Sequence, residues 1–448
     1  MTSQVLEESG ALLSPVAGAG RPGEPAWLRD ARRVAAEWLT RHGYPDRKDE
    51  DWRYLDLRPV LSLPFHPAEP TPPGVGASDL DALAGSGLGG PRLVVVNGRF
   101  RPELSRPSPG PAVTRIGSLA TAVGASPAAL RRCWTGPGGG FRHGFEALNA
   151  ALACDGAYLE IPARAVLDGP IEIVYLTVAD EDLALVSPRS IIVAGSGSTA
   201  TIVETYLGVG KGRSLTNART TVLLEPGAAV EHYRFQIEGD DAFHLSDLEV
   251  KAKDAGRFAS RTLAVGALLA RHQVDAELVG PSADVQLDGL FLPCGQQCHD
   301  NPVLVDHAAP GGTSRQLYKG IVSGAGHGIF NGRVIVRPAA AGTAAHQTNK
   351  NLLLSDRAEL DTRPRLEIFN DEVSATHGAA VGQLDLDAVF YLRSRGIPDE
   401  AARAMLVAGF AAEVLERFAP GPIRRRAEQL VTSRLQAAVA DPGLRDRP

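Results

Sequence analysis

Residues 346–396 read HQTNKNLLLSDRAELDTRPRLEIFNDEVSATHGAAVGQLDLDAVFYLRSRG. A short polar turn opens the stretch at His346. RLEIF follows as a β run rich in strand formers. Asn370, Asp371 and Glu372 make a corner, and Thr376, His377, Gly378 and Ala379 make a glycine-containing turn. Helical spacing begins after Gln383, with Phe390 and Tyr391 near its start. A plain succession of core strands does not require so many special residues in that order. The stretch marks the place where an all-β array gives way to helix.

Upstream, from about Tyr158 to about Phe369, short β-rich runs recur between Gly, Pro, Asp and Asn. In VEHYRFQI, Tyr233, Phe235 and Ile237 alternate with His232, Arg234 and Gln236, a period of two. Small residues precede many runs: SGSTATIV, PGAAVEHY, AGRFASRT and PSADVQLD. Val230, Phe258 and Val285 recur at roughly 25–30 residues, the scale of stacked supersecondary units. An array without intervening amphipathic helices is not a doubly wound α/β fold. A sandwich, a jelly roll and a parallel β-helix all remain compatible with periodicity alone. More than ten near-regular short strands favour a solenoid.

The flanks read as helical. The first twenty-odd residues are small and polar, and are expected to be disordered. A helix over Glu24–His42 carries Ala31, Val34, Ala35, Trp38 and Leu39 on one face, closed by Gly43 and Pro45. KDEDWRYLDL (Lys48–Leu57) follows, then Pro/Gly/Asp-rich loop over Pro64–Gly90. LVVVNGRF from Leu93 reads as a strand entering an Asn-Gly hairpin. The GPGGG break at Gly136 precedes a short helix over Phe145–Ala153. Downstream, Asp399 is placed to cap a helix with Ala402, Met405, Leu406, Phe410 and Val414 on one face. A last helix carries Ile423, Ala427, Leu430, Val431, Leu435 and Ala438. The expected division is 1–155 helical or mixed, 156–382 all-β core, and 383–448 helical.

Composition narrows the function classes. A net charge of −6 and no sizeable basic run argue against a nucleic-acid partner. Four cysteines in 448 residues do not make a disulfide framework. The opening MTSQVLEESG does not look like an export signal, and about 18 apolar residues never follow one another, so no membrane span is expected. The expected location is cytoplasmic. There is no P-loop and no GxSxG elbow. GSGSTA (Gly195–Ala200) lacks the lysine and runs into a strand.

Four segments together are similar to a known family. KDEDWRYLDL resembles its N-terminal Lys-x-Glu-x-Trp-Arg-Tyr motif. GLFLPCGQQCHDNPVLVDHAAPGGTSRQLYKGIVSGAGHGIFNGRVIV, from Gly289, resembles its His-Asp-Asn turn, second His, Ser-x-Gln-Leu and Lys-Gly strand. FYLRSRGI (Phe390–Ile397) and AGF (Ala408–Phe410) resemble its C-terminal segment. In order and at matching spacing, they resemble the SufB/SufD family of iron–sulfur cluster assembly scaffolds, and its SufD side in particular. THGA where SufB has HEA, and the KDEDWRY start, favour that side. The resemblance implies a mainly β fold: a right-handed parallel β-helix core flanked by helical N-terminal and C-terminal regions. It implies a non-catalytic scaffold that helps iron to enter, with a SufB-like scaffold and a SufC-like ATPase as partners, or a second copy in a homodimer. Iron or an iron–sulfur cluster would be held transiently and shared, with no tightly bound cofactor.

By resemblance, His377 is the candidate iron ligand at a shared interface, since neutral imidazole suits iron. Phe390, Tyr391, Arg395, Gly396 and Phe410 are the candidate ATPase-docking region. Packing alone also accounts for each of these residues. The chain departs from the family at Ala375 and Gly312, where relatives often carry Cys, so thiolate is absent there. Cys294 and Cys298 in CGQQCH do not have zinc-ribbon or haem spacing. They read as turn thiols, and His307, His327 and His346 as hydrogen-bonding turn histidines. The charges of Asp361–Glu367 read as a solvated strand face. A SufB-type subunit is the near alternative. A β-helix carbohydrate-active enzyme using Asp371 and Glu372 is the distant one, weakened because adjacent residues on an extended chain diverge.

Overall fold

The computed structural model describes residues 21, 23–70, 76–85, 87–106, 115–125, 128–135, 140–179 and 183–439. The expected disordered start and most of the GPGGG break lie outside them. Short strands come first: β1 (His66–Pro67), β2 (Arg92–Val96), β3 (Arg99–Phe100), β4 (Arg115–Ser118), β5 (Ala157–Ile161), β6 (Ile171–Val178) and β7 (Ala184–Val186). Regular coils follow, two strands each: β8 (Arg189–Ala194) with β9 (Thr199–Val209), β10 (Ser214–Leu224) with β11 (Ala229–Ile237), and β12 (Phe243–Ala252) with β13 (Arg257–Ala264). Then come β14 (Leu269–Leu278) with β15 (Asp284–Phe291), β16 (Cys298–His307) with β17 (Thr313–Val322), β18 (His327–Val336) with β19 (Thr343–Leu353), and β20 (Glu359–Ile368) with β21 (Val373–Gln383). Even-numbered strands from β8 to β20 stack in one sheet and odd-numbered strands from β9 to β21 in the other. The result is a parallel β-helix of about seven coils.

Val230, Phe258 and Val285 are direct neighbours across β11, β13 and β15. The repeat in the sequence is therefore one coil. SGSTATIV and PGAAVEHY turn through Gly197 (φ 68°) and Gly227 (φ 71°), left-handed positions that favour glycine.

Three apolar layers hold the solenoid. Val222, Val250, Val274, Val303 and Val334 fill the lumen. Phe65, Trp52, Phe145 and Leu148 cover the outer face of the even sheet at Leu215, Phe243, Leu269 and Ile329. Val407, Ala411, Val414 and Phe418 cover the odd sheet at Tyr233, Phe235, Leu263, Leu290 and Leu317. Burial on both faces does not make the strands apolar throughout: on β11, His232, Arg234 and Gln236 are buried as fully as Tyr233 and Phe235.

The two ends of the solenoid differ. At the start, β3 pairs antiparallel with β2, and β4 with β5, closing the stack. At the other end, among the described residues, β20 and β21 each pair on one side only. Most of β21 is exposed, as are Ile368, Phe369 and Val381.

Three local expectations differ from the structure. Ala77–Ala84 is a helix inside the expected loop, because Leu80 and Ala84, one turn apart, bury against Val94, Val96 and Val174. Asp399 is the first residue of the helix Asp399–Leu415 and does not cap it; its carboxylate takes Arg403 and Arg393 instead. The buried face of that helix is Ala402, Val407, Ala411, Val414 and Leu415, which leaves Met405 53% exposed.

Candidate functional site

His377 lies within β21, not in a turn. The chain from Val373 to Gln383 stays extended because its backbone pairs with β19 along the whole strand. His377 stands opposite Gln347, which stands opposite Gln316 on β17. Both glutamines are buried in the lumen, and Gln347 Nε2 donates to Gln316 Oε1 at 2.9 Å. The same column continues back through Leu287, Ser260 and His232. His377 therefore occupies a lumen-facing register position, left exposed because no coil follows. Ala375 and Ala379 share its face by the two-residue period, so of these three side chains only the imidazole is of a ligating type. Asp371 and Glu372 sit at the corner before the strand; among the described residues no ion pair joins them to His377. Thr376, on the opposite face, meets His346 Nδ1 at 2.8 Å.

The mouth beside His377 is polar. Thr362 Oγ1 donates to Asn349 Oδ1 at 2.8 Å, and Asn349 Nδ2 donates to the Tyr318 carbonyl at 3.1 Å. No group of three or more His, Cys, Asp or Glu is placed to hold a metal ion among the described residues. An ion at His377 thus needs ligands from another chain or from water.

The candidate docking residues divide into two sets. On the helix Leu386–Ser394 only Val389 is buried, and Phe390 and Tyr391 are 71% and 57% exposed. Arg395 lies 5.2 Å over the Tyr391 ring, and Gly396 (φ 86°) follows the helix in a left-handed conformation. Phe410 is half-buried beneath Lys319 Nζ, 4.2 Å from its ring centroid. Lys319 also donates to the Phe410 carbonyl and pairs with Glu413. Phe410 therefore belongs to the joint between helix and solenoid.

KDEDWRYLDL has a visible structural task. Trp52 is buried, with the Arg271 guanidinium 3.7 Å over its ring. Glu50 pairs with Arg363 and Arg365, and Asp51 pairs with Arg365. The expected solvated face of β20 is thus a latch to the N-terminal region. A cavity of about 620 Å³ lies beside this latch on the outer face of the even sheet, and His377 does not line it.

His307, His327 and His346 lie in strands, not turns. Cys294 precedes β16 and Cys298 is its first residue. The sequence reading missed the polar side chains that share the lumen with its valines. His232 bridges Glu204 (3.2 Å) and Ser260 (2.9 Å), and His244 meets Glu238 at 2.9 Å. Burial holds His244 below its ordinary value despite Glu238. The alternation in VEHYRFQI was the available signal; its polar half turns inward because Tyr233 and Phe235 face the C-terminal helices.

The family description "SUF system FeS cluster assembly, SufBD core domain" matches residues 175–410, and "SufBD protein N-terminal region" matches 21–173. An iron-sulfur cluster assembly SufBD family protein of Synechocystis sp. is 31% identical over 424 residues, 92% of each chain. The iron-sulfur cluster assembly protein SufD of Escherichia coli is 30% identical over 400 residues, 89% of this chain and 90% of its own. SufD of Bacillus subtilis is 28% identical over 294 residues, 65% of this chain and 66% of its own. With both regions matched and the alignment running through nearly the whole solenoid and its flanks, the chain belongs to the SufB/SufD family of iron–sulfur cluster assembly proteins.

Proposed function

We propose that this chain is a SufD-type scaffold subunit, without catalytic activity of its own, in a cytoplasmic SufB–SufC–SufD assembly. The observation that carries the reading is the open last coil. Two adjacent strand edges, β20 and β21, end the sheets at one place. Unpaired strand edges are templates for another chain's strands. A SufB-type partner docked there would cover His377 and bring its own ligands to it. Iron, as cargo, would pass through a transient site shared between the two chains. The exposed Phe390 and Tyr391, with Arg395 and Gly396, would receive a SufC-type ATPase, while Phe410 would transmit its movement to the solenoid through Lys319. Residues 1–155, 156–382 and 383–448 are taken as the working domains of this subunit.

Co-expression with SufB-type and SufC-type partners, followed by metal analysis of the purified assembly, tests the proposal. Wild-type chain should bring down both partners. His377→Ala should keep both and lower the bound iron. Phe390→Ala should lose the ATPase and keep the scaffold partner. Assembly with unchanged iron in His377→Ala removes this residue from the site, and failure to recover either partner defeats the scaffold reading.

A further inference from the structure

A second chemistry-bearing cluster lies on the outer face of the even sheet, away from His377. Cys298 opens β16 and His327 opens β18, and the two are direct neighbours in register. Their backbones are fixed by bonds from Cys298 N to the Leu268 carbonyl and from His327 N to the Gln297 carbonyl, both 2.8 Å. Cys298 Sγ is 3.8 Å from His327 Nδ1. On the far side of the ring, Nε2 donates to Asp361 Oδ2 at 2.8 Å. Asp361 lies on β20, one coil further along.

The carboxylate decides the tautomer. With the proton on Nε2, Nδ1 keeps its lone pair, and that lone pair faces the sulfur. It can accept the S–H, or it can share a cation with the thiolate. The spacing admits the second use as well as the first, and because burial, with Asp300 and Asp361 nearby, pushes the Cys298 thiol up, the cation must displace a firmly held proton. Metal–nitrogen and metal–sulfur bonds of about 2.05 and 2.3 Å at a tetrahedral angle put the two ligands about 3.6 Å apart. The carboxylate–histidine pairing is also the usual outer support of a metal-bound imidazole. The site is reachable: the His327 side chain is 22% exposed, Cys298 is half-buried, and its Sγ makes no other hydrogen bond among the described residues. Strands in a stacked sheet hold such a pair more firmly than loops.

We propose that Cys298 and His327 form a two-ligand half-site for a thiophilic divalent cation of the zinc or ferrous class, with Asp361 as the positioning residue. Binding exchanges the thiol proton for the cation and releases that proton to water. Water, or a residue of a docked partner, fills the remaining positions. With two protein ligands the affinity of the isolated chain is modest.

Cobalt(II) titration of the reduced full-length chain at neutral pH tests the proposal through the sulfur-to-cobalt charge-transfer absorption. Wild type should develop the band, and so should Cys294→Ser and His377→Ala. Cys298→Ser should abolish it. Asp361→Asn should weaken binding about tenfold while keeping the band, the effect expected of an outer-sphere partner. Circular dichroism checks that each variant is folded, and if His327→Gln does not fold, Cys298→Ser alone decides. No band in wild type, or a band that survives in Cys298→Ser, overturns the proposal and leaves the pair as an ordinary S–H to nitrogen contact.

Discussion

Tyr318 lies opposite Gly289 across β15 and β17, and a Cβ at 289 would overlap its ring. The lumen has room for one large side chain at that level because its neighbour has none. Gly289→Ala should therefore destabilise the protein by about 1–3 kcal/mol through overpacking. Thermal melts check this, and Tyr318→Leu in the same chain should recover part of the loss. His307 sets a pH effect at the same scale. Burial brings its pKa down to about 4, from an ordinary value of about 6.5. Between those values the unfolded chain takes up a proton that the folded chain refuses. The stability held by the neutral ring is complete above about pH 6.5 and is lost as pH falls toward 4. His299, brought down to about 4 by burial, acts in the same direction. Urea unfolding across this window should show stability falling on acidification, with a shallower slope in His307→Gln; equal slopes would contradict the assignment. Neither packing role was legible beforehand. Gly289 is one glycine among 48, and the burial of His307 depends on which side of its strand faces the lumen.

At the scale of elements, the apolar joint between the C-terminal helices and the odd sheet encloses a buried charge. Asp288 on β15 is fully buried, with Arg417 at 2.8 Å and Arg261 at 3.9 Å. Burial raises its pKa despite both arginines. Arg417→Met should cost about 2 kcal/mol, less than the 3–5 of a fully buried broken pair, because Arg417 is partly exposed and Arg261 remains. Asp288→Asn in the Arg417→Met background should restore most of the loss in urea titrations; no recovery would mean that the carboxylate is not the liability. Strand existence was readable here from two-residue alternation and small-residue turns. Strand register was not. Cys298 and His327 are 29 residues apart, and His327 and Asp361 are 34 apart. Only the length of a coil makes those separations into neighbours. For the same reason His377 was placed in a turn: its Thr-His-Gly-Ala composition suits one, but pairing with β19 keeps the backbone extended.

Across the whole molecule, one end of the β-helix is sealed by antiparallel strands and the other is left bare. In the scaffold reading proposed above, the bare end is where another chain would continue the stack. Ala379→Lys places a charge on the lumen-facing register of β21, where a partner strand would stack. The isolated chain should keep its melting temperature, since the site is exposed, and should lose the scaffold partner in co-purification; unaffected pairing would move the interface elsewhere. The fold at this scale was half legible. A solenoid followed from the number and spacing of strands, while the choice of β-helix came from resemblance, because alternation is common to sandwiches and solenoids alike. The bare end had no sequence signal beyond the helix that begins after Gln383.

Hydrogen–deuterium exchange of this chain, alone and with a SufB-type partner, tests the central claim most directly. The account predicts fast exchange over residues 359–368 and 373–383 in the free chain relative to the inner coils, and protection concentrated in those two strands when the partner binds. A complex that forms while exchange in both strands stays unchanged would contradict it.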